Sequence, residues 1–249
     1  MSQKIIAGFV TAFLLMGCRD QERDQEQEPA GEAPAANEES LPEGDPATGL
    51  PSGEMRTVEV TDAKIAQGAE IYARNCVACH AEEGAGRLGT GPALNSATFL
   101  AAASDDFLFR TIYRGRSGTT MPPWGAVLGR DGIEAVIAYM RSWRDVEPAE
   151  LDDSPSTGDA EAGAQVFRQI CAACHGNSGA GYQETSNGTA IGRAAFLSEA
   201  SNGYLRHIIK HGKTNTPMRP FGEPEATAVA NLTDEQIENV IAYLRANAW

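Results

Sequence analysis

The sequence has few basic residues and no hydrophobic run long enough to span a membrane. Lysine and arginine number 20 against 34 aspartates and glutamates, which gives a formal net charge of −14. Nucleic acids are bound by basic surfaces that neutralise phosphates, so this balance argues against nucleic-acid binding. The apolar stretch over 5–16 has only twelve residues. A transmembrane helix needs about 20 residues.

Lys4 precedes this apolar stretch, as in a secretory signal. The stretch ends at Leu15-Met16-Gly17-Cys18, which resembles the lipobox of bacterial lipoproteins. That resemblance implies cleavage before Cys18, lipid attachment to Cys18, and a lipid-anchored protein on the periplasmic side of the bacterial cell envelope. An ordinary signal peptide with an incidental cysteine is the alternative. We predict a signal peptide over 1–17 and, over 18–56, the lipidated cysteine with an acidic, disordered spacer.

Beyond the spacer the chain is an internal duplication, because three sequence blocks recur in the same order. They recur at offsets of 95, 97 and 104 residues. The blocks begin at Gly68, Gly91 and Ile133 in the first copy and at Gly163, Gly188 and Ile237 in the second. An acidic segment with two prolines separates the copies. We predict two similar domains, over 57–147 and 158–249, joined by a linker over 148–157.

Each copy begins with a predicted helix, over 62–75 in the first and 159–170 in the second. Asp62 and Asp159 are placed to cap these helices. No segment has the alternating pattern of a strand. We therefore predict an all-α fold, with about three main helices in each domain.

A middle helix is predicted over 105–113 and over 204–210, ending at Gly115 and Gly212. The last helix of the first copy has apolar residues at helical spacing, which predicts one buried face. These residues are Ile133, Val136, Ile137 and Met140. Thr233 begins a capping box before the last helix of the second copy.

Four of the five cysteines lie in two copies of the pattern C-x-x-C-H. The copies are formed by Cys76, Cys79 and His80, and by Cys171, Cys174 and His175. Two thiols at this spacing add to the vinyl groups of one haem and form thioethers, and the histidine that follows reaches the iron. The pattern is the one used for c-type haem attachment. We predict two covalently bound haem c groups, with His80 and His175 as axial iron ligands.

Three other interpretations of the cysteine pairs fit the sequence less well. A structural zinc site usually has its two pairs about 15–20 residues apart, whereas these pairs are 95 residues apart. A thioredoxin-like site requires a βαβ context, which the sequence lacks. Two disulfide bonds would leave both following histidines unexplained.

The sixth iron ligand is predicted by elimination among the six methionines. Met121 and Met218 lie in proline-rich loops, where proline restricts the backbone and holds a thioether in place. The remaining methionines lie in the signal, the spacer or the last helix: Met1, Met16, Met55 and Met140. We predict axial ligation by Met121 and Met218, which raises the potential relative to bis-histidine ligation. Packing of either methionine against the haem, without ligation, is the alternative.

His207 and His211 are rival ligands in the second copy. They align with Arg110 and Arg114 of the first copy at the offset of 97. Positions that accept arginine are expected on a solvent-exposed helix face, so we expect these histidines at the surface.

With these motifs, each copy resembles a class I cytochrome c domain. The pair resembles di-haem members of that family, such as cytochrome c4, over about residues 60–249. The resemblance implies three helices around each haem, with the first and last helices crossing near a glycine and aromatic residues. The implied crossings place Gly68 and Tyr72 against Val136 and Tyr139, and Gly163 and Phe167 against Val240 and Tyr243.

The family also has a proline whose carbonyl orients the proximal histidine through its ring N–H. Pro92 fits that role in the first copy, whereas Thr189 stands at the matching position in the second. The carbonyl of Thr189 is less firmly placed by sequence alone, so the two haems are expected to differ in potential.

The resemblance implies an electron carrier and not an enzyme, with redox proteins as donors and acceptors and no small-molecule substrate. Electrons would pass between respiratory or dehydrogenase partners through two six-coordinate haems. A cytochrome subunit of a membrane oxidoreductase complex is the alternative. A di-haem enzyme of the peroxidase or thiosulfate dehydrogenase type needs a vacant haem position or a cysteine ligand, and haem attachment uses every cysteine after Cys18.

Overall fold

A computed structural model of the chain describes residues 56–185, 187–222 and 226–249. The predicted signal peptide, Cys18 and the spacer up to residue 55 lie outside these ranges. Both repeats belong to one compact unit. The described ranges are helical, with two isolated β-bridges and no strand, which confirms the all-α prediction. None of the helices in these ranges has the length and hydrophobicity to cross a membrane.

The first repeat contains five helices. They are α1 (Asp62–Asn75), α2 (Val77–His80), α3 (Ala97–Ala102), α4 (Asp105–Arg114) and α5 (Gly125–Ser142). The apolar stripe predicted for the last helix is buried, since Ile133 and Ile137 are 0% exposed. Sequence periodicity did not predict α3, which is too short to repeat its apolar pattern.

The second repeat has the same order of elements. They are α6 (Ala160–Val166), α7 (Ala172–His175), α8 (Ala194–Leu197), α9 (Asn202–His211) and α10 (Asp234–Ala246). The single helix predicted over 159–170 is instead α6 followed by a π-helical turn, Phe167–Cys171. Such turns are common beside functional sites, and this one leads into the second C-x-x-C-H pattern. Thr233 and Gln236 form the predicted capping box of α10.

The structure confirms one of the two predicted N-caps of α1 and α6 and contradicts the other. Asp159 caps α6 as predicted, because its carboxylate accepts a hydrogen bond from the Ala162 N–H at 2.7 Å. The prediction that Asp62 caps α1 is wrong. Thr61 has the extended backbone of a cap, and its hydroxyl accepts from the Lys64 N–H at 3.3 Å. Asp62 is instead the first helical residue, where its charge favours the positive end of the helix dipole.

In the first repeat, α1 crosses α5 at Gly68, as the resemblance implied. A Cβ added at Gly68 would lie 2.6 Å from the carbonyl carbon of Ala135 and 2.8 Å from the Cβ of Tyr139. Both distances are below van der Waals contact, so the approach requires glycine. Beside the crossing, the rings of Tyr72 and Tyr139 meet edge to face at 5.6 Å between centroids.

In the second repeat, α6 crosses α10 at Gly163 in the same way. A Cβ on Gly163 would lie 2.9 Å from the Cβ of Tyr243 and closer still to the carbonyl of Asn239. The rings of Phe167 and Tyr243 pack at 5.1 Å between centroids. The duplication therefore extends from sequence to the packing of the main helices.

An arginine near the end of the last helix ties it to the centre of each repeat. Arg141 donates to the carbonyls of Leu100 and Ala103 and to the carboxylate of Asp105, at 2.5–2.8 Å. Its counterpart Arg245 donates to the carbonyls of Leu197 and Ala200 and to the side chain of Asn202. Each arginine thus satisfies carbonyls at a helix end that would otherwise be unpaired.

The two repeats meet through equivalent residues. Phe107 and Tyr204, which correspond at the offset of 97, stack on each other with ring centroids 4.8 Å apart. Both are buried, at 7% exposure each. A contact between equivalent residues is what a two-fold axis produces. The repeats are therefore related by an approximate two-fold axis near this stack.

Two cation–aromatic contacts obey the same symmetry and, with the stack, define the repeat interface. The Arg116 guanidinium lies 4.6 Å from the ring centre of Phe196, and the Lys213 ammonium lies 4.3 Å from that of Phe99. Arg116 corresponds to Lys213, and Phe99 to Phe196, at the offset of 97. Both distances lie within the range of cation–π attraction. Each repeat thus places one cation on the other repeat.

Candidate haem sites

The two C-x-x-C-H patterns coincide with the short helices α2 and α7, and the first cysteine of each pattern, Cys76 or Cys171, immediately precedes its helix. Burial raises the pKa of the Cys76 thiol to about 11 and that of the Cys171 thiol to about 12, with a smaller effect of the neighbouring thiols. In each pattern the first thiol is therefore held in an apolar environment, which suits the edge of a porphyrin.

The alternative interpretations of these cysteines are not supported by the structure. All four cysteines of the patterns are free thiols. Within the described residues, no group of three or more histidine, cysteine, aspartate or glutamate side chains is placed to hold a metal ion. The two pairs therefore form neither disulfide bonds nor a shared zinc site in this part of the chain.

Both proximal histidines are fixed through the same ring nitrogen. His80 Nδ1 lies 3.0 Å from the carbonyl oxygen of Pro92, and His175 Nδ1 lies 2.8 Å from that of Thr189. A carbonyl can only accept, so Nδ1 carries the hydrogen and Nε2 has the free lone pair. The carbonyl of Thr189 thus occupies the same place as that of Pro92, although the sequence alone left its placement less certain.

Burial lowers the pKa of both histidines. For His80 and His175, desolvation is the largest effect, and the bond to the carbonyl opposes it. A lower pKa favours the neutral imidazole, which is the form that ligates a metal. The sequence prediction of these two residues as ligands therefore has a consistent geometry and charge state, and the ligation itself remains a prediction.

A glycine in each repeat lets the carbonyl loop approach the C-x-x-C-H helix. A Cβ on Gly91 would lie 2.5 Å from the carbonyl oxygen of Cys79, and one on Gly188 would lie 2.8 Å from the Nδ1 of His175. A side chain at either position would push the loop, and with it the carbonyl, away from the histidine.

The loops that carry Met121 and Met218 have one common hydrogen-bond pattern. In the first repeat, the Arg116 N–H donates to the Met121 carbonyl at 3.0 Å, and the Met121 N–H donates to the Thr119 hydroxyl at 3.2 Å. The Thr119 hydroxyl donates in turn to the Arg116 carbonyl at 2.7 Å. The methionine backbone is thus held from both sides.

The second loop repeats each of these bonds. The Lys213 N–H donates to the Met218 carbonyl at 2.7 Å, and the Met218 N–H donates to the Thr216 hydroxyl at 3.1 Å. The Thr216 hydroxyl donates to the Lys213 carbonyl at 2.8 Å. Sequence reasoning missed both threonines, although Thr119 and Thr216 match at the offset of 97, which could have found them.

A cation of each methionine loop lies near the proximal histidine of the same repeat. Arg116, which binds the Met121 carbonyl, lowers the pKa of His80. Lys213, which binds the Met218 carbonyl, lowers the pKa of His175. In both cases the effect is smaller than that of burial.

The rival histidines lie side by side on α9. The rings of His207 and His211 are 4.7 Å apart, and both side chains are partly exposed. Burial, followed by the neighbouring His211, lowers the pKa of His207. Both histidines are thus partly exposed, close to the surface location predicted from their alignment with Arg110 and Arg114.

The residues present fit a covalently bound haem in each repeat. Each repeat offers two free thiols at the attachment spacing, an imidazole with its Nε2 lone pair available, and a thioether on a braced loop. Arg116 and Lys213 also place cations close to the proximal histidines, and Glu199 interacts electrostatically with Arg116. Haem c carries two carboxylates, so cations near both sites suit it.

Comparison with protein families gives each repeat its own match. Residues 63–140 match the family described as cytochrome c oxidase, cbb3-type, subunit III. Residues 160–248 match the cytochrome c family. The predicted domain boundaries enclose these matches.

Curated relatives match across both repeats. The cbb3-type cytochrome c oxidase subunit FixP of Sinorhizobium medicae is 31% identical over 177 residues, which cover 67% of this chain and 58% of the relative. The subunit CcoP of Rubrivivax gelatinosus is 29% identical over 181 residues, covering 72% of this chain and 53% of the relative. The chain thus spans somewhat more than half the length of these relatives.

Among solved structures, cytochrome cL from Hyphomicrobium denitrificans aligns at 37% identity with a TM-score of 0.30, covering 34% of this chain and 49% of that chain. The family assignment rests on the two repeats and their motifs. With a cbb3 subunit III-like cytochrome domain followed by a cytochrome c domain, the chain belongs to the di-haem c-type cytochromes and holds two haem c groups.

Proposed function

We propose that this chain is an electron-transfer subunit of a membrane oxidoreductase complex of the cbb3 oxidase kind. The first repeat matches the subunit III family of that oxidase, and relatives that match both repeats are named as its subunits. This support favours a complex subunit over a free carrier between respiratory or dehydrogenase partners. The free carrier remains the second candidate.

The observation that carries the electron-transfer role is the pair of bonds from His80 and His175 to backbone carbonyls. Each bond fixes the ring tautomer and aims Nε2 away from the carbonyl loop, as expected of an iron ligand. Because both bonds have nearly the same length, both repeats are equipped to hold a redox centre. A second domain retained only for its fold would not need the bond that orients His175.

The residues have the following proposed roles. Cys76, Cys79, Cys171 and Cys174 attach the two haems through thioethers, and His80, Met121, His175 and Met218 are the axial ligands. When bound, haem c supplies reversible one-electron chemistry at iron. The threonine-braced loops hold the methionine backbone fixed, so that little rearrangement accompanies a change in iron charge.

With both axial positions filled, neither haem would offer a site for substrate. This supports an electron carrier over a di-haem peroxidase or thiosulfate dehydrogenase. Redox proteins, and not small molecules, would be the partners. The repeat interface would keep the two centres at a fixed separation, which an electron path through both of them requires.

We also propose that the head is held at the periplasmic face of a membrane by a lipid on Cys18. The Leu15-Met16-Gly17-Cys18 sequence supports this proposal. In the native host, the membranes are washed with alkaline carbonate, which releases proteins held only by contacts with other subunits. Cys18→Ser should then move the haem-stained protein from the membrane fraction to the soluble fraction, whereas wild type stays. Retention of the variant after this wash would contradict the lipid anchor.

The ligand proposal is tested on protein produced together with haem-maturation enzymes. We expect two covalently bound haems per chain and the weak near-infrared band of methionine-ligated ferric haem. Met121→Ala and Met218→Ala should each remove about half of that band. Met140→Leu, a volume-conserving change of a buried methionine, should leave it intact. A band unaffected by either loop variant would contradict methionine ligation.

The complex proposal is tested by extracting native membranes with mild detergent. A tagged chain should co-purify with oxygen-consuming cytochrome oxidase activity. A chain that elutes alone, reduced and reoxidised by soluble partners, would instead support the free carrier. Rapid peroxide turnover by the isolated chain would overturn both and favour an enzyme.

A further inference from the structure

Lys213 contacts the ligand-bearing loops of both repeats. Its ammonium donates to the carbonyl of Ala93 at 3.0 Å. Ala93 follows Pro92, whose own carbonyl binds His80. The backbone N–H of the same lysine donates to the Met218 carbonyl at 2.7 Å. One residue therefore joins the proximal loop of the first site to the methionine loop of the second.

Arg116, the counterpart of Lys213, has no matching bond to the proximal loop of the other repeat within the described ranges. Its N–H binds the Met121 carbonyl, and its guanidinium lies over the ring of Phe196. No hydrogen bond joins its side chain to the proximal loop of the second repeat, among the residues that the structure describes. The approximate two-fold symmetry is broken here, because only Lys213 bridges both sites.

Both side-chain cations lie in the repeat interface, each over an aromatic ring of the other repeat. The cations are set in a desolvated interface. Burial, followed by Arg116, lowers the pKa of Lys213 to about 7. Charges in such a medium are weakly screened and act over longer distances than at a surface.

We propose that Lys213 controls the reduction potentials of both haems together, whereas Arg116 acts mainly on the haem of the first repeat. This inference rests on the proposed haem sites. Reduction adds one electron to each ferric centre, and a nearby fixed positive charge stabilises the reduced form. Lys213 is thus a positioning and tuning residue that acts on the irons without touching them.

The test is a spectroscopic redox titration of the two-haem protein at pH 6. Lys213→Leu should shift both components of the titration to lower potential, and Lys213→Arg should restore most of both shifts. Arg116→Gln should lower one component more than the other. Arg130→Gln, which removes an exposed cation of α5, is the matched control and should shift neither.

The component of the first haem is identified with Met121→His, which should lower its potential selectively, since bis-histidine ligation lowers haem potential. If Lys213→Leu does not yield a two-haem protein, Lys213→Gln removes the charge while keeping a donor for Ala93. Each variant is checked for two haems and an intact near-infrared band.

A neutral Lys213 variant that shifts only one component, or neither, would overturn the inference and leave the proposed haem sites intact. An arginine variant that behaves like the neutral ones would also overturn it, because packing and not charge would then be responsible. Wild-type protein without two covalent haems would instead overturn the proposed function.

Discussion

Replacing Gly163 with alanine should open the crossing between α6 and α10. The added Cβ would meet the backbone of Asn239 and the Cβ of Tyr243, neither of which can rotate away. Overpacking of this kind costs about 1–3 kcal/mol, and two rigid neighbours place the cost at the upper end. Alanine recovers about 1 kcal/mol of helix propensity over glycine. The net loss of stability should be about 2 kcal/mol.

The loss is measured by thermal and guanidinium unfolding of the ferric protein, followed by Soret absorbance and circular dichroism. For a repeat of this size, about 2 kcal/mol corresponds to a fall in melting temperature of roughly 10 °C. Gly68→Ala should lower the stability by a similar amount in the first repeat, where the added Cβ would meet Ala135 and Tyr139.

Gly132→Ala is the matched control within α5. Its Cβ would lie 3.2 Å from the Leu128 Cβ and 3.6 Å from the end of the Ile71 side chain, which can adjust. Helix propensity should then keep stability equal to wild type or raise it by up to about 1 kcal/mol. If Gly163→Ala proved as stable as Gly132→Ala, the argument from close helix approach would be wrong.

Three further predictions concern hydrogen bonds and ion pairs. Thr216→Val should remove the two bonds that its hydroxyl makes in the second methionine loop, at about 1–2 kcal/mol, so that the near-infrared band is lost at a lower guanidinium concentration. The same change at the exposed Thr120 should have no effect. Arg206 binds Glu238 and lowers the pKa of its carboxyl group. The ion pair therefore stabilises the protein fully above the ordinary carboxyl pKa of about 4.3. This stabilisation is lost as the pH falls through the lowered pKa of Glu238. Arg206→Gln should therefore cost about 1–2 kcal/mol at pH 7 and less at pH 3, and an equal cost at both would contradict the assignment. Arg245→Met should lower the melting temperature by several degrees, since it leaves two helix-end carbonyls unpaired; unchanged unfolding would show that water replaces the bonds.

The sequence was sufficient for the first, middle and last helices of each repeat, but not for the short α3 and α8, and it was sufficient for the choice of candidate ligands. The C-x-x-C-H spacing encodes a covalent geometry, and the stripe from Ile133 to Met140 encodes one buried helix face. The crossing glycines Gly68 and Gly163 followed from the resemblance to a family. These features are local or shared by the family, so they can be predicted from a single sequence.

The contacts across the repeat interface could not be predicted in this way. The bond from Lys213 to Ala93 joins residues 120 positions apart. The spacing of apolar residues along the sequence does not predict such a long-range pairing. The cap at Thr61 was missed for a different reason, because threonine and aspartate adjoin there and both favour the N-cap position. Only the backbone conformation decides between them.

The stack of Phe107 on Tyr204 has a consequence for the history of the chain. An aromatic residue that packs on its own equivalent is the contact of a homodimer, here within one polypeptide. Fusion makes the association intramolecular, so a modest contact area is enough to keep the halves together. It also frees the halves to diverge, as they have at Phe107 and Tyr204 and at Arg116 and Lys213. A pair of identical subunits would carry every change twice, whereas the fused pair can acquire unequal halves one residue at a time.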